Sequence, residues 1–241
     1  MQRFLLALGA AATFGASSAG AQTVLLDDPF SGSATVLNYG LFTNWDVLNG
    51  TTVDLIRSGD YGISCVGGVG YCVDMSGSTG PTSTGTLQSK LAYSFSAGDL
   101  MRFQVQVAGS QRGSESDPFT AFVNFVSSTS VTGVRFAYGS DIVDGEDAMF
   151  AAGERMVMSG PVASADPFTI WSISFTATTA GSATFGLATS TMDNIGPVID
   201  NALVSRTGSA AVPEPQSLAL LGAGLLALGY RRRRARLASA P

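Results

Sequence analysis

The sequence predicts an all-β protein in which two sheets pack face to face as a sandwich of the jelly-roll type. Apolar and polar residues alternate with a period of two along many short segments, which is typical of half-buried strands. Turn-forming residues separate these segments, and no long 3.6-residue periodicity occurs between the two chain ends. Many short strands with tight turns favour a two-sheet sandwich, and the lack of a fixed repeat argues against a propeller or a solenoid.

Seven segments show the alternation, and each is predicted as a strand. They are residues 52–56, 87–95, 101–107, 119–126, 168–176, 183–187 and 197–204. Turn signals such as Ser58-Gly59-Asp60 and Ala97-Gly98-Asp99 lie between them. Residues 140–161 form an acidic, Met-rich insertion for which the pattern predicts no role.

The N-terminus has the three parts of a secretory signal peptide, which we assign to residues 1–21. Arg3 supplies the positive charge, residues 4–12 form a short apolar stretch, and Ala19-Gly20-Ala21 is a small-residue cleavage site. We therefore expect cleavage before Gln22. A buried first helix is the alternative.

Three elements follow one another at the C-terminus: a short motif, an apolar stretch at 216–230 and an arginine cluster at 231–236. The motif and the basic run consist of Val212, Pro213, Glu214, Pro215, Arg231, Arg232, Arg233 and Arg234. The uncharged part, 217–230, is shorter than the roughly 20 residues that span a bilayer, so it predicts a short transmembrane helix. The arginines stay on the cytoplasmic face, which places the rest of the chain outside, as the signal peptide does.

This order of elements, over residues 210–237, resembles the PEP-CTERM sorting signal of exopolysaccharide-producing Gram-negative bacteria. The resemblance implies that an exosortase, an inner-membrane cysteine transpeptidase-like enzyme, recognises the tail and cuts near Pro213-Glu214-Pro215. The exosortase and the inner membrane are then partners during export. The body is left at the cell surface or outside the cell, without its apolar tail.

Removal of the two terminal signals changes the charge of the chain. Six of the 13 Lys and Arg residues lie in the signals, but only Glu214 of the 18 Asp and Glu residues does, which leaves 7 against 17. The body, residues 22–211, therefore carries about −10, a field that repels nucleic acid and anionic membranes. The arginine run has no interleaved aromatics and follows an apolar segment, so we expect no nucleic-acid partner. The domain itself, 22–209, is long enough for one β-sandwich with a real core.

Cys65 and Cys72 are the two cysteines of the chain. Paired cysteines in an exported protein favour a disulfide. Gly67-Gly68 between them can adopt the positive φ of a hairpin turn and bring flanking strands together. A metal site would need further ligands, and the chain has no histidine.

Several segments of the body are similar to galactose-binding-like β-sandwich domains, which are related in style to carbohydrate-binding modules. They include Asn44-Trp45-Asp46-Val47, residues 71–80, Gly109-Ser110-Gln111-Arg112-Gly113 and residues 194–201. The resemblance spans residues 30–205 and implies contact with glycans. The cysteine pair and the 140–161 insertion depart from the pattern.

Sugar binding needs a flat aromatic face and polar groups that satisfy hydroxyls. The candidate ligand-binding residues are Trp45, Asp54, Asp74, Gln111, Arg112, Asp200 and Asn201. Simpler roles remain open: Trp45 in the core, Asp200-Asn201 capping a turn, and Arg112 pairing with Glu115 or Asp117.

The densest carboxylate cluster is a candidate metal site. Asp141, Asp144, Glu146 and Asp147 offer the hard oxygen ligands that suit Ca²⁺. Their spacing does not match an EF-hand loop, so a solvated acidic loop is the preferred interpretation and a structural calcium ion the alternative. We expect no other cofactor.

The sequence offers no catalytic constellation. Without histidine, the Ser-His-Asp and Cys-His mechanisms are excluded, and no phosphate-binding loop is present. We therefore expect a non-catalytic exported protein that contacts extracellular polysaccharide or has a structural role in a biofilm. The alternatives are a secreted glycoside hydrolase or lyase on the same fold, which needs only two carboxylates, and a purely structural adhesin.

Overall fold

The computed structural model describes residues 20–78, 84–191 and 193–208. Ala21–Ser209 form one compact unit with its own core, as expected of a domain that folds independently. Within the described ranges, no helix is long and apolar enough to cross a membrane. The predicted signal peptide up to Ala19 and the sorting signal at 210–237 lie outside the described residues.

The larger of the two sheets has ten strands in the order β11-β10-β14-β8-β16-β5-β4-β2, with β1 beside β16 and β12 beside β10. Its strands are β1 (Gln22–Asp28), β2 (Val36–Tyr39), β4 (Val53–Arg57), β5 (Tyr71–Asp74), β8 (Leu100–Ala108), β10 (Thr129–Tyr138), β11 (Asp141–Asp144), β12 (Ala148–Phe150), β14 (Thr169–Ala177) and β16 (Val198–Thr207). We call it the ten-stranded sheet.

The second sheet has six strands in the order β13-β9-β15-β6-β3, with β7 also paired to β15. Its strands are β3 (Trp45–Val47), β6 (Thr86–Ser89), β7 (Tyr93–Phe95), β9 (Ser116–Phe125), β13 (Arg155–Ala163) and β15 (Gly181–Thr189). Both sheets are antiparallel. The predicted all-β, two-sheet sandwich is therefore confirmed.

All seven predicted segments contain strands, but the segment at 87–95 is two strands. Gln88 lies opposite Gly186 and Tyr93 lies opposite Ala183. The four residues between Gln88 and Tyr93 therefore face only two residues of β15. The extra residues loop outward between β6 and β7. The hydroxyl of Ser89 accepts a hydrogen bond from Phe185 N at 3.0 Å, which replaces the missing backbone partner.

The insertion at 140–161 forms β11 and β12 at one edge of the ten-stranded sheet and most of β13 at one edge of the six-stranded sheet. All four residues of β11 are exposed, so this strand carries no alternation. Its neighbour β10 has the alternation interrupted, because Gly133 has φ 61° and the register with β14 shifts between Thr132 and Arg135. The strands β10 and β11 could therefore not be predicted from periodicity, whereas buried and exposed residues do alternate along most of β13.

Aromatic side chains from both sheets fill the space between them. The rings of Phe103 and Phe185 pack across the interface with centroids 5.3 Å apart. Trp45 is fully buried, and its Nε1 donates a hydrogen bond to Asp28 Oδ2 at 2.9 Å. Burial of one such side chain stabilises the fold by about 2–3 kcal/mol, so this layer holds the two sheets together.

A second, smaller core lies on the outer face of the ten-stranded sheet. Ile56, Ile63, Cys65, Cys72 and Val198 are all buried there, under the loop that joins β4 to β5. The predicted disulfide between Cys65 and Cys72 is present. The loop is thus fixed to the sheet by apolar packing and by a covalent bond.

The hairpin predicted around Gly67-Gly68 differs from the observed one. Both glycines have positive φ, 69° and 72°, but residues Val66–Gly68 form a short 3-10 helix and Cys65 belongs to no strand. The hairpin is formed by β4 and β5, in which Ile56 lies opposite Cys72. Ser58 Oγ accepts a hydrogen bond from Cys65 N at 3.1 Å, which holds Cys65 over the hairpin.

The central strand β16 contains a bulge between Asp200 and Leu203. Successive side chains of a regular strand point to opposite faces, yet Asp200 and Asn201 both lie on the outer face here. Asn201 has φ 48°, a left-handed conformation that asparagine tolerates better than most residues. Ala202 and Val204 then return to the core with no exposed surface.

Loss of the disulfide should destabilise the body without unfolding it. The cysteines are only seven residues apart, so the bond should contribute about 2–3 kcal/mol, near or below the value for a 15-residue loop. We expect a Cys65→Ala/Cys72→Ala variant to show this loss in urea unfolding. Addition of reductant should lower the stability of the wild type towards that of the variant, whereas the variant should not respond.

Candidate functional site

The predicted ligand-binding residues do not form one site. Trp45 is fully buried between the sheets, so it presents no ring face to a sugar. The stacking role considered for Trp45 is therefore wrong, because its indole is enclosed by the core and bonded to Asp28. The other six residues divide into a buried cluster, a pair that anchors the disulfide loop, and one residue in a surface groove.

Asp54, Asp74 and Arg112 form the buried cluster. Asp54 and Asp74 lie opposite each other on β4 and β5 and are 3% and 0% exposed. The Arg112 guanidinium forms an ion pair with Asp74, rather than with Glu115 or Asp117. Arg112 Nε is buried and has no hydrogen-bond partner among the described residues. The two carboxylates are thus enclosed and bonded within the protein, whereas the Arg112 side chain is 25% exposed.

Backbone amides complete this cluster. Asp74 Oδ1 accepts hydrogen bonds from Ser76 N at 3.0 Å and Gly196 N at 3.1 Å. Asp54 Oδ1 accepts from Asn38 N at 2.7 Å. Burial nevertheless raises the pKa of Asp74 to about 7, against the lowering effects of Ser76 N and Arg112. The cluster ties the ends of several strands together.

Gln111 and Asp200 anchor the disulfide loop. Gln111 accepts a hydrogen bond from Ser64 N at 2.8 Å and donates one to Ser64 O at 2.9 Å. Asp200 accepts from Val66 N at 3.1 Å and from Asn201 N at 2.7 Å. Burial raises the pKa of Asp200 to about 6. Both side chains are therefore occupied by the protein's own backbone.

The carboxylates proposed for calcium do not converge. Asp144 pairs with Arg135 at 2.9 Å, and Asp147 accepts hydrogen bonds from Thr132 Oγ1 and Gly133 N at 2.6 and 2.8 Å. In the part of the chain that the structure describes, no three His, Cys, Asp or Glu residues could hold one metal ion. Asp141, Asp144, Glu146 and Asp147 are therefore not gathered into one group, and the structural calcium ion stays a prediction.

A groove of about 390 Å³ lies on the outer face of the ten-stranded sheet. It crosses β1, β16, β8 and β14 and is lined by Asp27, Gln104, Val105, Gln106, Ile170, Asn201 and Leu203. Asn201 reaches it because of the bulge in β16, and its Nδ2 donates to Gln106 Oε1 at 2.5 Å. We call this surface the amide groove.

The amide groove has the chemistry to bind hydroxyl groups. The amides of Gln104, Gln106 and Asn201 each donate and accept hydrogen bonds, as hydroxyls do, and Asp27 adds an acceptor. Ile170 and Leu203 supply apolar surface. Of the residues that line the groove, only Asn201 was among the ligand-binding residues predicted from the sequence. The alternation of residues 101–107, which places Gln104 and Gln106 together on the polar face, was the signal that could have identified the groove.

In a comparison with protein families, residues 211–234 match the PEP-CTERM protein-sorting motif. The chain therefore ends in a PEP-CTERM sorting motif. The motif indicates export and membrane-associated sorting by an exosortase, as the order of Pro-Glu-Pro, apolar stretch and arginines predicts. The match covers none of the sandwich domain, residues 22–209, so it does not identify the activity of that domain. No curated protein matches the chain.

Several solved structures are similar to this chain. One is the CBM22-1 and GH10 part of xylanase 10B from Clostridium thermocellum, complexed with xylohexaose (18% identity, TM-score 0.45, 78% of this chain and 29% of that one). Another is an arabinose-bound GH51 α-L-arabinofuranosidase (12% identity, TM-score 0.46, 80% of this chain and 27% of that one). A third is the CBM22-1 xylan-binding domain of Xyn10C from Paenibacillus barcinonensis (12% identity, TM-score 0.33, 81% of this chain and 100% of that one). The chain thus spans less than a third of the first two proteins.

The buried carboxylates should make the body more stable in mild acid than at neutral pH. Because the folded pKa of Asp74 and Asp200 lies above the ordinary value of 3.8, the folded state retains protons that the unfolded state has lost. The free energy of unfolding should therefore fall as the pH rises from about 4 to about 7 and then level off.

Urea unfolding at several pH values tests this expectation. An Asp74→Asn variant should lose most of the slope between about pH 5 and 7, whereas Asp46→Asn on the exposed surface should retain it. An unchanged slope in Asp74→Asn would show that Asp74 is ionised throughout this range.

Proposed function

We propose that this protein is an exported, non-catalytic binding protein for neutral extracellular polysaccharide. The observation that carries the proposal is the amide groove, where three amide side chains lie beside two apolar ones on an open sheet face. Sugar rings present the same combination, with hydroxyls at the rim and C–H groups on the faces. The groove is open to solvent on its outer side, so a polymer can lie along it without entering an enclosed cavity.

The charge distribution favours a neutral ligand. The lining residues include one carboxylate, Asp27, and no Lys or Arg, and the body carries about −10 overall by the count given above. An anionic glycan or a nucleic acid would be repelled by this field. The groove therefore selects for uncharged hydroxyl-rich chains.

The same groove argues against hydrolysis. Glycoside hydrolases place two carboxylates on either side of the scissile bond, whereas Asp27 is the single acid in the groove lining. The neighbouring Asp28 is 8% exposed and is held by Phe30 N, Asn44 Nδ2 and Trp45 Nε1. No second acid is thus available to the groove on this strand, which supports binding without catalysis.

The C-terminal sorting motif bears on where the protein is delivered. We infer that the apolar segment holds the chain briefly in the inner membrane while the exosortase acts. The body is then released to the cell surface or the exopolysaccharide matrix, where a groove for neutral glycans would have its ligand at high concentration. A role in biofilm cohesion follows from this placement.

Native gels that contain xylan, mixed-linkage β-glucan, galactomannan or starch test the binding. We expect at least one neutral polymer to retard the purified body, residues 22–211. A Gln104→Ala/Gln106→Ala variant should bind about ten-fold more weakly, because each lost hydrogen bond is worth about 0.5–1.5 kcal/mol. Gln88→Ala, on β6 of the other sheet, is the matched control and should bind as the wild type does.

Two results would contradict the proposal: no retardation by any neutral polymer, or equal retardation of the groove variant. Release of reducing sugar from a retarding polymer would instead favour the hydrolase.

Deletion of residues 212–241 tests the sorting part. The truncated chain should still be exported through its signal peptide but should accumulate in the periplasm and not reach the cell surface or the medium. Immunoblots of cell fractions measure this. A variant with Arg231–Arg234 replaced by Gln separates the arginines from the Pro-Glu-Pro motif, and unaltered delivery of the truncated chain would refute the sorting role.

A further inference from the structure

Tyr61 is the one aromatic side chain of the described residues that is more than half exposed, at 58%. It lies in an open hollow of about 440 Å³ lined by Thr35, Leu37, Gly59, Asp60 and Tyr61. The amide groove contains no aromatic residue. The ring face that sugar binding uses is thus absent from the groove but present in this second hollow, which we call the Tyr61 hollow.

The loop that carries Tyr61 is fixed on both sides. Ile63 N donates to Asp60 O at 3.0 Å, and Gly59 N donates to Ile63 O at 2.7 Å. Ile63 is fully buried in the small core beside the Cys65–Cys72 disulfide. A ring held on such a short, cross-linked loop loses little freedom when a ligand binds.

The backbone of Tyr61 is itself unusual. It has φ 52° and ψ 19°, the left-handed region that bulky residues rarely adopt. Such conformations persist where the surrounding structure imposes them, and they are concentrated at functional sites. Here the conformation turns the ring out into solvent at the tip of the loop.

Polar groups lie beside the ring. Thr35 Oγ1 donates a hydrogen bond to Asp60 Oδ2 and accepts one from Arg57 N at 2.9 Å. These contacts hold the exposed Asp60 carboxylate next to Tyr61. An aromatic face with an adjacent carboxylate matches the C–H face and the hydroxyls of a pyranose.

The Tyr61 hollow lies on the same sheet face as the amide groove. Val36 is opposite the inward-facing Leu55, so Leu37, one residue on, points outward like Gln104. The strand registers also place the two surfaces in one row. Asp200 of β16 lies opposite Gln106 of β8. On the other side of β16, Asp200 lies beside Cys72 of β5, one position past the Ile199–Val73 pair, and Cys72 lies opposite Ile56 of β4. Thr35 is next to Ile56 in this row, since Val36 pairs with Leu55.

The separation suits one extended ligand. β16, β5, β4 and β2 are consecutive neighbours, and strands lie about 4.8 Å apart. The Tyr61 hollow is therefore about 14 Å along the row from the strand that carries Asn201. The disulfide loop covers Ile56 and Cys72 of this row, so a ligand that joins the two sites must pass over the loop. A chain of several sugars can do so, whereas a disaccharide in the groove cannot.

We propose that Tyr61 is a second contact for the polysaccharide, which stacks on a sugar ring of the same chain whose other part occupies the amide groove. This inference rests on the proposed function and adds to it a preference for long chains over short ones. The consequence is a dependence of affinity on ligand length that the groove alone would not produce.

Isothermal titration with a length series of oligosaccharides from the polymer that retards the body tests the inference. Tyr61→Ala should bind the disaccharide like the wild type but lose about three- to ten-fold in affinity for the longest ligand, the range expected for an aromatic contact. Tyr61→Phe, which keeps the ring, should retain wild-type affinity at all lengths. Leu41→Ala removes another exposed apolar side chain (Leu41 is 82% exposed) and should have no effect.

The outcomes separate the two proposals. If the wild type and Tyr61→Ala bind every ligand equally while Gln104→Ala/Gln106→Ala is weakened, the groove stands and the Tyr61 contact is overturned. If no ligand binds the wild type, both fall. Sedimentation velocity checks the remaining alternative: a wild-type dimer that Tyr61→Ala converts to a monomer would make Tyr61 a self-association contact and overturn its role in glycan binding. Thermal melts that match the wild type confirm that the variants are folded.

Discussion

The bulge in β16 is the constraint on which the amide groove depends. It places Asp200 and Asn201 on the same side of the sheet, although neighbours in a regular strand alternate. Asp200 then accepts the amide of Val66 and anchors the disulfide loop, while Asn201 bonds to Gln106 in the amide groove. One left-handed asparagine in the most extensively paired strand therefore connects the loop that carries Tyr61 to the surface where polar side chains converge.

The polar residues of this body serve two different purposes. Asp54 and Asp74 are enclosed and bind backbone amides, and Asp74 also pairs with Arg112, so these contacts fix how strand ends meet. Such buried charges add little net stability, but removal of one partner is costly because the other is left uncompensated. Gln104, Gln106 and Asn201 instead face an open surface. Only the second group is free to exchange water for a ligand.

The tail and the body are separate parts of the chain with different roles. The sorting motif at 211–234 determines how the chain is handled at the membrane, whereas the sandwich at Ala21–Ser209 is a separate compact unit. A strong negative charge, an internal disulfide and a groove without cationic residues are consistent with the proposed binding of neutral polymers outside the cell. The disulfide also compensates for a small outer core of only a few apolar side chains.

The sequence by itself determined the fold class, seven segments that contain eight of the sixteen strands, the disulfide and the sorting motif. Each depends on local order along the chain: period-two alternation, cysteine spacing, or the succession of Pro-Glu-Pro, apolar residues and arginines. The sequence did not locate the site. Asp74 and Asn201 are equally plausible sugar ligands as residue types, and only the tertiary structure decided that Asp74 is enclosed with Arg112 while Asn201 reaches the groove. Burial and bulges arise from contacts between segments distant in the chain, such as β16 with β8 or Val66 with Asp200, and no local pattern encodes them.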